Sequence, residues 1–148
     1  MLILGSLPGE ASLAAARYYA HPQNQFWRLV GAVIGREELA ALDYEDRLQA
    51  LIKAGIGVWD VLASAVRPGS LDAAIREVEH APLAELIATL PQLRAVAFNG
   101  ATAARIGRKL LADAPVSLVD LPSSSPAYAA MPLAEKRRRW LELQEFLR

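Results

Sequence analysis

Short apolar runs with a β-leaning composition alternate along this chain with stretches whose apolar residues return at helical spacing. No other feature limits the fold as strongly. The runs are Leu2–Leu4, Ile56–Val61, Ala95–Phe98 and Val116–Leu121, bounded by Gly, Pro, Asn or Asp as strand ends usually are. One-faced helical patterns fall between and after them, at Asn24–Ile34, Asp46–Ala54, Leu83–Leu90, Ala101–Leu111 and Leu133–Leu147. Pro82 and Pro132 stand at the openings of two of these, and Pro91 closes one.

Strands that alternate with helices imply parallel βαβ units with right-handed crossovers. Ile56–Val61 and Ala95–Phe98 are nearly continuous in apolar character, as strands covered on both faces are. The expected fold class is therefore α/β: a three-layer α/β/α sandwich around a central parallel sheet of about four strands. A length of 148 residues suits one domain over 1–148. A 53% hydrophobic share argues against disorder over most of it.

Composition removes several function classes. There is no cysteine, so disulfides, thiolate zinc sites, cysteine-held iron–sulfur clusters and a cysteine nucleophile are excluded. Sixteen Lys and Arg balance sixteen Asp and Glu, which leaves no global electrostatic case for nucleic acid. No apolar run approaches the ~18 residues of a membrane span, and the start lacks the basic residues of a signal peptide. A cytoplasmic location without membrane association is expected. Two dispersed His make a poor metal set, so neither metal nor other cofactor is expected.

Ligands of such sheets bind beyond the carboxyl ends of the strands. That rule selects Gly5–Glu10, Trp59–Val61, Phe98–Gly100 and the Leu121-Pro122-Ser123-Ser124-Ser125-Pro126-Ala127-Tyr128 stretch. In the first, glycines around a proline let backbone N–H groups approach an anion or a carbonyl; a plain strand-to-helix turn reads equally well. It matches neither a Walker loop nor GxGxxG. The fourth gathers hydroxyls and free N–H groups that suit phosphates, with small and apolar residues that could press into a duplex. It also reads as a solvated Ser/Pro linker.

A further dense stretch is Arg17-Tyr18-Tyr19-Ala20-His21-Pro22-Gln23-Asn24-Gln25-Phe26-Trp27. Aromatic faces and amides together can stack on a planar base and read its edge. Phe26 and Trp27 fit the buried side of the following helix, and His21 before proline suits a surface or capping place. Tyr19 and Asn24 are the pair best explained by function.

The set GSLPG, YYAHPQNQFW, GVWDVL and LPSSSPA, in that order, resembles the uracil-DNA glycosylase superfamily over nearly the whole chain. It is most similar to the branch called family 6, the hypoxanthine-DNA (deoxyinosine) glycosylases. AHPxNxFW is also found in the related mismatch-specific uracil/thymine glycosylases, so the branch rests on the combination. Two positions depart from many superfamily members: Leu7 stands where Asp or Asn positions water, and Leu121 where His or Asn faces the base.

The resemblance implies a base-excision glycosylase that flips deoxyinosine out of double-stranded DNA and hydrolyses its N-glycosidic bond, acting as a monomer. It places the catalytic residue at Asn24, where a neutral amide would orient water rather than deprotonate it. Gly5, Ser6 and Leu7 would meet the departing base through backbone N–H groups, Tyr19 would stack on it, and Asp60 and Asn99 would contact it. Ser123, Ser124, Ser125, Pro126, Ala127 and Tyr128 would meet the DNA. Lys136–Arg139 read as an added basic face or as a merely solvated one. The three lysines, Lys53, Lys109 and Lys136, all fall within predicted helices away from the loops, so Schiff-base lyase chemistry is not expected. Glu10 is the alternative water-positioning group. The same residues leave open a uracil or thymine substrate, a non-catalytic binder of damaged DNA or nucleotides, and an unrelated flavodoxin-like module.

Overall fold

In the computed structural model the described residues are 1–6, 18–19, 23–60, 62–65, 78–80, 83–126 and 128–147, with 62–65 and 78–80 described as backbone alone. Strands β1 (Leu2–Gly5), β2 (Gly57–Asp60), β5 (Ala95–Asn99) and β6 (Ser117–Leu121) form one parallel sheet in the order β2-β1-β5-β6. All four expected strands are present. Strands β3 (Leu62–Ala65) and β4 (Val78–His80) pair antiparallel in a second, two-stranded sheet that the periodicity does not predict.

Side chains alternate across β1 and β5, and each face has its own helices. Ile3 and Ala97 join a core with Phe26, Leu29, Val30, Leu51, Trp140 and Leu143. These come from α1 (Phe26–Val33), α2 (Tyr44–Ala54), α5 (Leu133–Trp140) and a terminal 3₁₀ turn, Leu141–Phe146. Leu2, Leu4, Val96 and Phe98 face the other way, onto α3 (Leu83–Ala88) and α4 (Ala101–Leu110). Burial on both faces is why these strands read as unbroken apolar runs. At Gly107 of α4 an added Cβ would fall 2.3 Å from a ring carbon of the fully buried Phe98, so helix and sheet approach as closely as a glycine allows.

Helix boundaries differ from expectation for local reasons. Helix α2 starts at Tyr44 rather than Asp46: the Asp43 carbonyl already accepts from Arg47 N at 3.0 Å, and Glu45 and Asp46 suit the positive end of the dipole. Helix α3 stops at Ala88, where Thr89 turns its hydroxyl back onto the Leu86 carbonyl at 2.6 Å. The last helix tightens after Trp140 into the 3₁₀ turn, from which Gln144 Nε2 donates to the Val33 carbonyl at 3.1 Å. That bond satisfies a carbonyl at the end of α1 that has no helical partner.

Candidate active site

The strand register puts the carboxyl ends in one row. Gly5 pairs with Asp60, and Asn99 pairs with Leu121. A Cβ on Gly5 would lie 3.0 Å from Asp60 Oδ1 and 3.0 Å from the Tyr19 hydroxyl. Carboxylate and phenol therefore converge over a residue that must lack a side chain.

Tyr19 carries a positive φ of 54°, uncommon for a bulky residue and costing about 1–2 kcal/mol. Two contacts offset that cost. Its ring stacks on Phe26, centroids 4.0 Å apart and planes 18° from parallel. Its hydroxyl accepts a bond from Asn99 Nδ2 at 3.2 Å. Phe26 is itself pinned edge-on by Trp27 and Trp140, so the aromatic platform rests on the core. Beside it, burial, then the Asp60 carboxylate and Tyr44, push the Tyr18 phenol above its ordinary range.

The Asn24 segment and the serine loop are joined by hydrogen bonds across the sheet end. Gln25 N donates to the Ser124 carbonyl at 2.9 Å. The Ser124 hydroxyl donates to Asn24 Oδ1 at 2.9 Å, and Phe26 N donates to the same oxygen at 2.9 Å. Ser124 N donates to Asn99 Oδ1, and Asn99 Nδ2 to Ser124 Oγ, both at 2.9 Å. The loop is held from below by Trp140, whose Nε1 donates to the Pro122 carbonyl at 2.9 Å. Gly100, with φ 101°, makes room for it: a Cβ there would lie 3.2 Å from that of Ser123.

Six residues singled out in the sequence thus meet at one place: Gly5, Tyr19, Asn24, Asp60, Asn99 and Ser124. Ser6 is buried beside them at the end of β1. Two expected roles shift. Ser124, expected at the DNA, is 0% exposed with its hydroxyl and N–H committed to the two asparagines. Asn99 likewise spends both side-chain atoms on protein partners, which leaves one Oδ1 lone pair for any base. Ser123 and Ser125 are half-buried, and Pro126 and Tyr128 are exposed. Leu121 lies in the core with Ile3 and Trp140. Leu7, Glu10, His21 and Ala127 lie outside the described residues.

The basic run resolves unequally. Arg137 pairs with Glu37 and Arg138 with Glu135, while Lys136 points inward and is 1% exposed. Its ammonium donates to Gln25 Oε1 at 3.0 Å and lies 5.2 Å from the Tyr128 ring centroid. Lys136 is therefore beside the serine loop, not away from it as the sequence suggested. A signal was available: Leu133, Lys136, Trp140, Leu143 and Leu147 repeat at intervals of about three and four, on the apolar seam of the last helix. Among the described residues, no group of three or more His, Asp or Glu is placed to hold a metal, and no helix is long and apolar enough to cross a membrane.

Known proteins resemble this chain in sequence and fold. The family model of the uracil DNA glycosylase superfamily matches residues 1–144. A protein named hypoxanthine DNA glycosylase from Methanosarcina acetivorans is 42% identical over 127 residues, 86% of this chain and 79% of that one. Another of the same name from Methanosarcina barkeri is 45% identical over 100 residues, 68% of this chain, and the match spans 63% of that relative's length. A chain from Methanosarcina acetivorans, solved by NMR in solution and described as a candidate uracil DNA glycosylase, superposes with a TM-score of 0.85. It is 36% identical, with 98% of this chain and 89% of that chain covered.

Proposed function

The chain belongs to the uracil DNA glycosylase superfamily, and we propose that it is a base-excision glycosylase, one domain acting as a monomer, that releases hypoxanthine from deoxyinosine in double-stranded DNA. The observation that carries this reading is the bonded set of Asn24, Ser124, Asn99 and Tyr19 at the strand ends, in a chain whose relatives bear the name hypoxanthine DNA glycosylase.

A flipped nucleotide brings its base over the sheet end. The Tyr19 ring, backed by Phe26, offers it a face. Asp60 accepts from a ring N–H of hypoxanthine, and N–H groups of Gly5 and Ser6 face the charge that the leaving base acquires. As the bond from C1′ to the base nitrogen breaks, the sugar takes on oxocarbenium character. Water then needs placement more than deprotonation. Asn24 supplies that placement, and the water oxygen keeps a lone pair for C1′. The new C1′–O bond forms, and the water proton leaves to solvent or to the base. Ser123, Ser125, Pro126 and Tyr128 form the surface that meets the duplex, and a cytoplasmic setting suits such work.

The reading includes no lyase step. Lys53 and Lys109 are exposed in the last turns of α2 and α4, which lead into strands and so lie at the far edge of the sheet. Lys136 is near the loop, but its buried ammonium is held by Gln25 and Tyr128.

Single-turnover release assays on duplexes carrying inosine, uracil or xanthine test the proposal. Release of hypoxanthine well ahead of uracil and xanthine is expected. Preferred release of uracil moves the substrate to the pyrimidine side of the superfamily. Tight binding of inosine duplex with no release at all overturns the enzyme reading.

A further inference from the structure

The Asn24 amide is oriented by a directed chain of hydrogen bonds, and its direction follows from the donors alone. Backbone N–H groups only donate. Phe26 N, 2.9 Å from Asn24 Oδ1, requires an oxygen there, and Ser124 N, 2.9 Å from Asn99 Oδ1, requires one too. Neither amide can be turned over without setting N–H against N–H. With Asn99 so fixed, its Nδ2 is the group that faces Ser124 Oγ at 2.9 Å and must donate to it. The single Ser124 proton is then directed to Asn24 Oδ1 at 2.9 Å. Both lone pairs of that oxygen are filled by protein donors. At 0% exposure, Ser124 has no water to take the place of either partner. No described residue accepts from Asn24 Nδ2.

We infer that Asn99 and Ser124 are positioning residues that fix the Asn24 amide with its Nδ2, rather than its Oδ1, offered to the reacting side. The inference rests on the glycosylase reading of Asn24. It adds that Asn24 acts as a hydrogen-bond donor to the water oxygen and accepts nothing from it. It also reassigns Asn99, whose donor edge is spent inside the protein, from reading the base to holding the catalytic amide.

Asn99→Asp tests the direction of the chain with almost no change of shape. The carboxylate still accepts from Ser124 N, but it has no N–H for Ser124 Oγ. The serine proton turns toward Asp, and Asn24 Oδ1 loses a donor. Single-turnover excision of hypoxanthine from inosine duplex should fall about 10-fold or more at pH 8, with duplex affinity kept. As pH is lowered toward 5, the half-buried carboxyl takes up a proton, regains a donor and restores much of the rate. Wild type should show no such acid gain. Ser124→Ala should be slow throughout this range, and the Asn24 side-chain amide resonances should move in its NMR spectrum.

An Asn99→Asp rate equal to wild type, or one that is low and indifferent to pH, overturns the inference. So does a folded Ser124→Ala with an unchanged rate, which decides the matter alone if the Asp variant does not fold. Asn24→Ala keeps the two levels apart. If it excises normally, the catalytic reading of Asn24 has failed. If it is about 100-fold slow while Asn99→Asp and Ser124→Ala are normal, that reading stands and the positioning roles are wrong.

Discussion

The Lys136 ammonium donates to Gln25 Oε1 at 3.0 Å, joining the last helix to the segment that carries Asn24 across 111 positions of chain. Among the described residues no carboxylate pairs with it, and burial alone lowers its pKa below the ordinary lysine value. A lysine with a folded pKa below its unfolded one binds fewer protons when native. Stability therefore rises with pH, from the folded pKa up to the unfolded value near 10.5, and levels off above it.

Lys136→Met removes that rise. Urea midpoints of the two proteins, compared at pH 7 and pH 10, should diverge in favour of wild type at the higher pH, because only wild type sheds the cost of a buried cation. A difference that stays constant between the two pH values would show that water reaches the ammonium.

Tyr19 has two separable parts. The ring stacks on Phe26, while the hydroxyl receives Asn99. Loss of the ring should cost the flipped complex about 1–3 kcal/mol, up to about 100-fold in single-turnover rate. Tyr19→Phe keeps the platform and gives up the hydroxyl that receives, at 3.2 Å, an amide that retains Ser124, so it should keep most of the activity. Equal rates for the Phe and Ala variants would show that the ring is not the platform.

Strands β1 and β5 were legible because burial on both faces leaves one kind of side chain along them, as in Ala95–Phe98; β2, expected to be covered in the same way, is an edge strand on which Trp59 is 45% exposed. The order of the strands was not legible, since β5 beside β1 is a crossover choice that local sequence does not encode. The β3–β4 pair escaped because Val78–His80 is three residues long and shows no alternation to read. At the site, motif resemblance named Asn24, Asn99 and Ser124. It did not give their bonds, which span 25 and 100 positions and depend on how the loop seats on Gly100 and Trp140. The role of Ser124 was misplaced for that reason: three successive serines look alike until one of them is buried.

Gly5→Ala probes the floor of the site. The new methyl would stand 3.0 Å from both Asp60 Oδ1 and the Tyr19 hydroxyl, tighter than ordinary contact. The Asp60 carboxylate ends a short movable side chain and can turn aside at little cost to the fold, whereas the Tyr19 hydroxyl can move only by tilting a ring stacked on Phe26. They would then no longer converge where the base edge must lie. Excision should fall about 10-fold or more, while the thermal midpoint shifts by only a few degrees. A large loss of stability with a normal rate in the remaining folded protein would place Gly5 in packing alone.

Tyr128 is 37% exposed, and its ring lies 5.2 Å from the Lys136 ammonium of the last helix. Its N–H donates to the Ser125 carbonyl at 3.1 Å, so the ring stands on a closed turn of the serine loop. A ring carried this way can fill the stack that a flipped nucleotide leaves, a service only a duplex needs. Tyr128→Ala should therefore slow excision from inosine in duplex more than in single-stranded DNA. Replacing Ser123 and Ser125 should instead weaken binding to all duplexes about equally, with a shallow salt dependence reflecting a few phosphate contacts. Because Lys136 also touches the Tyr128 ring, Lys136→Met should share part of the duplex-specific loss: the ring keeps its turn but not the cation that holds its face. Equal slowing of duplex and single-stranded substrates by Tyr128→Ala would make the ring a structural cover for Lys136 and remove the wedge.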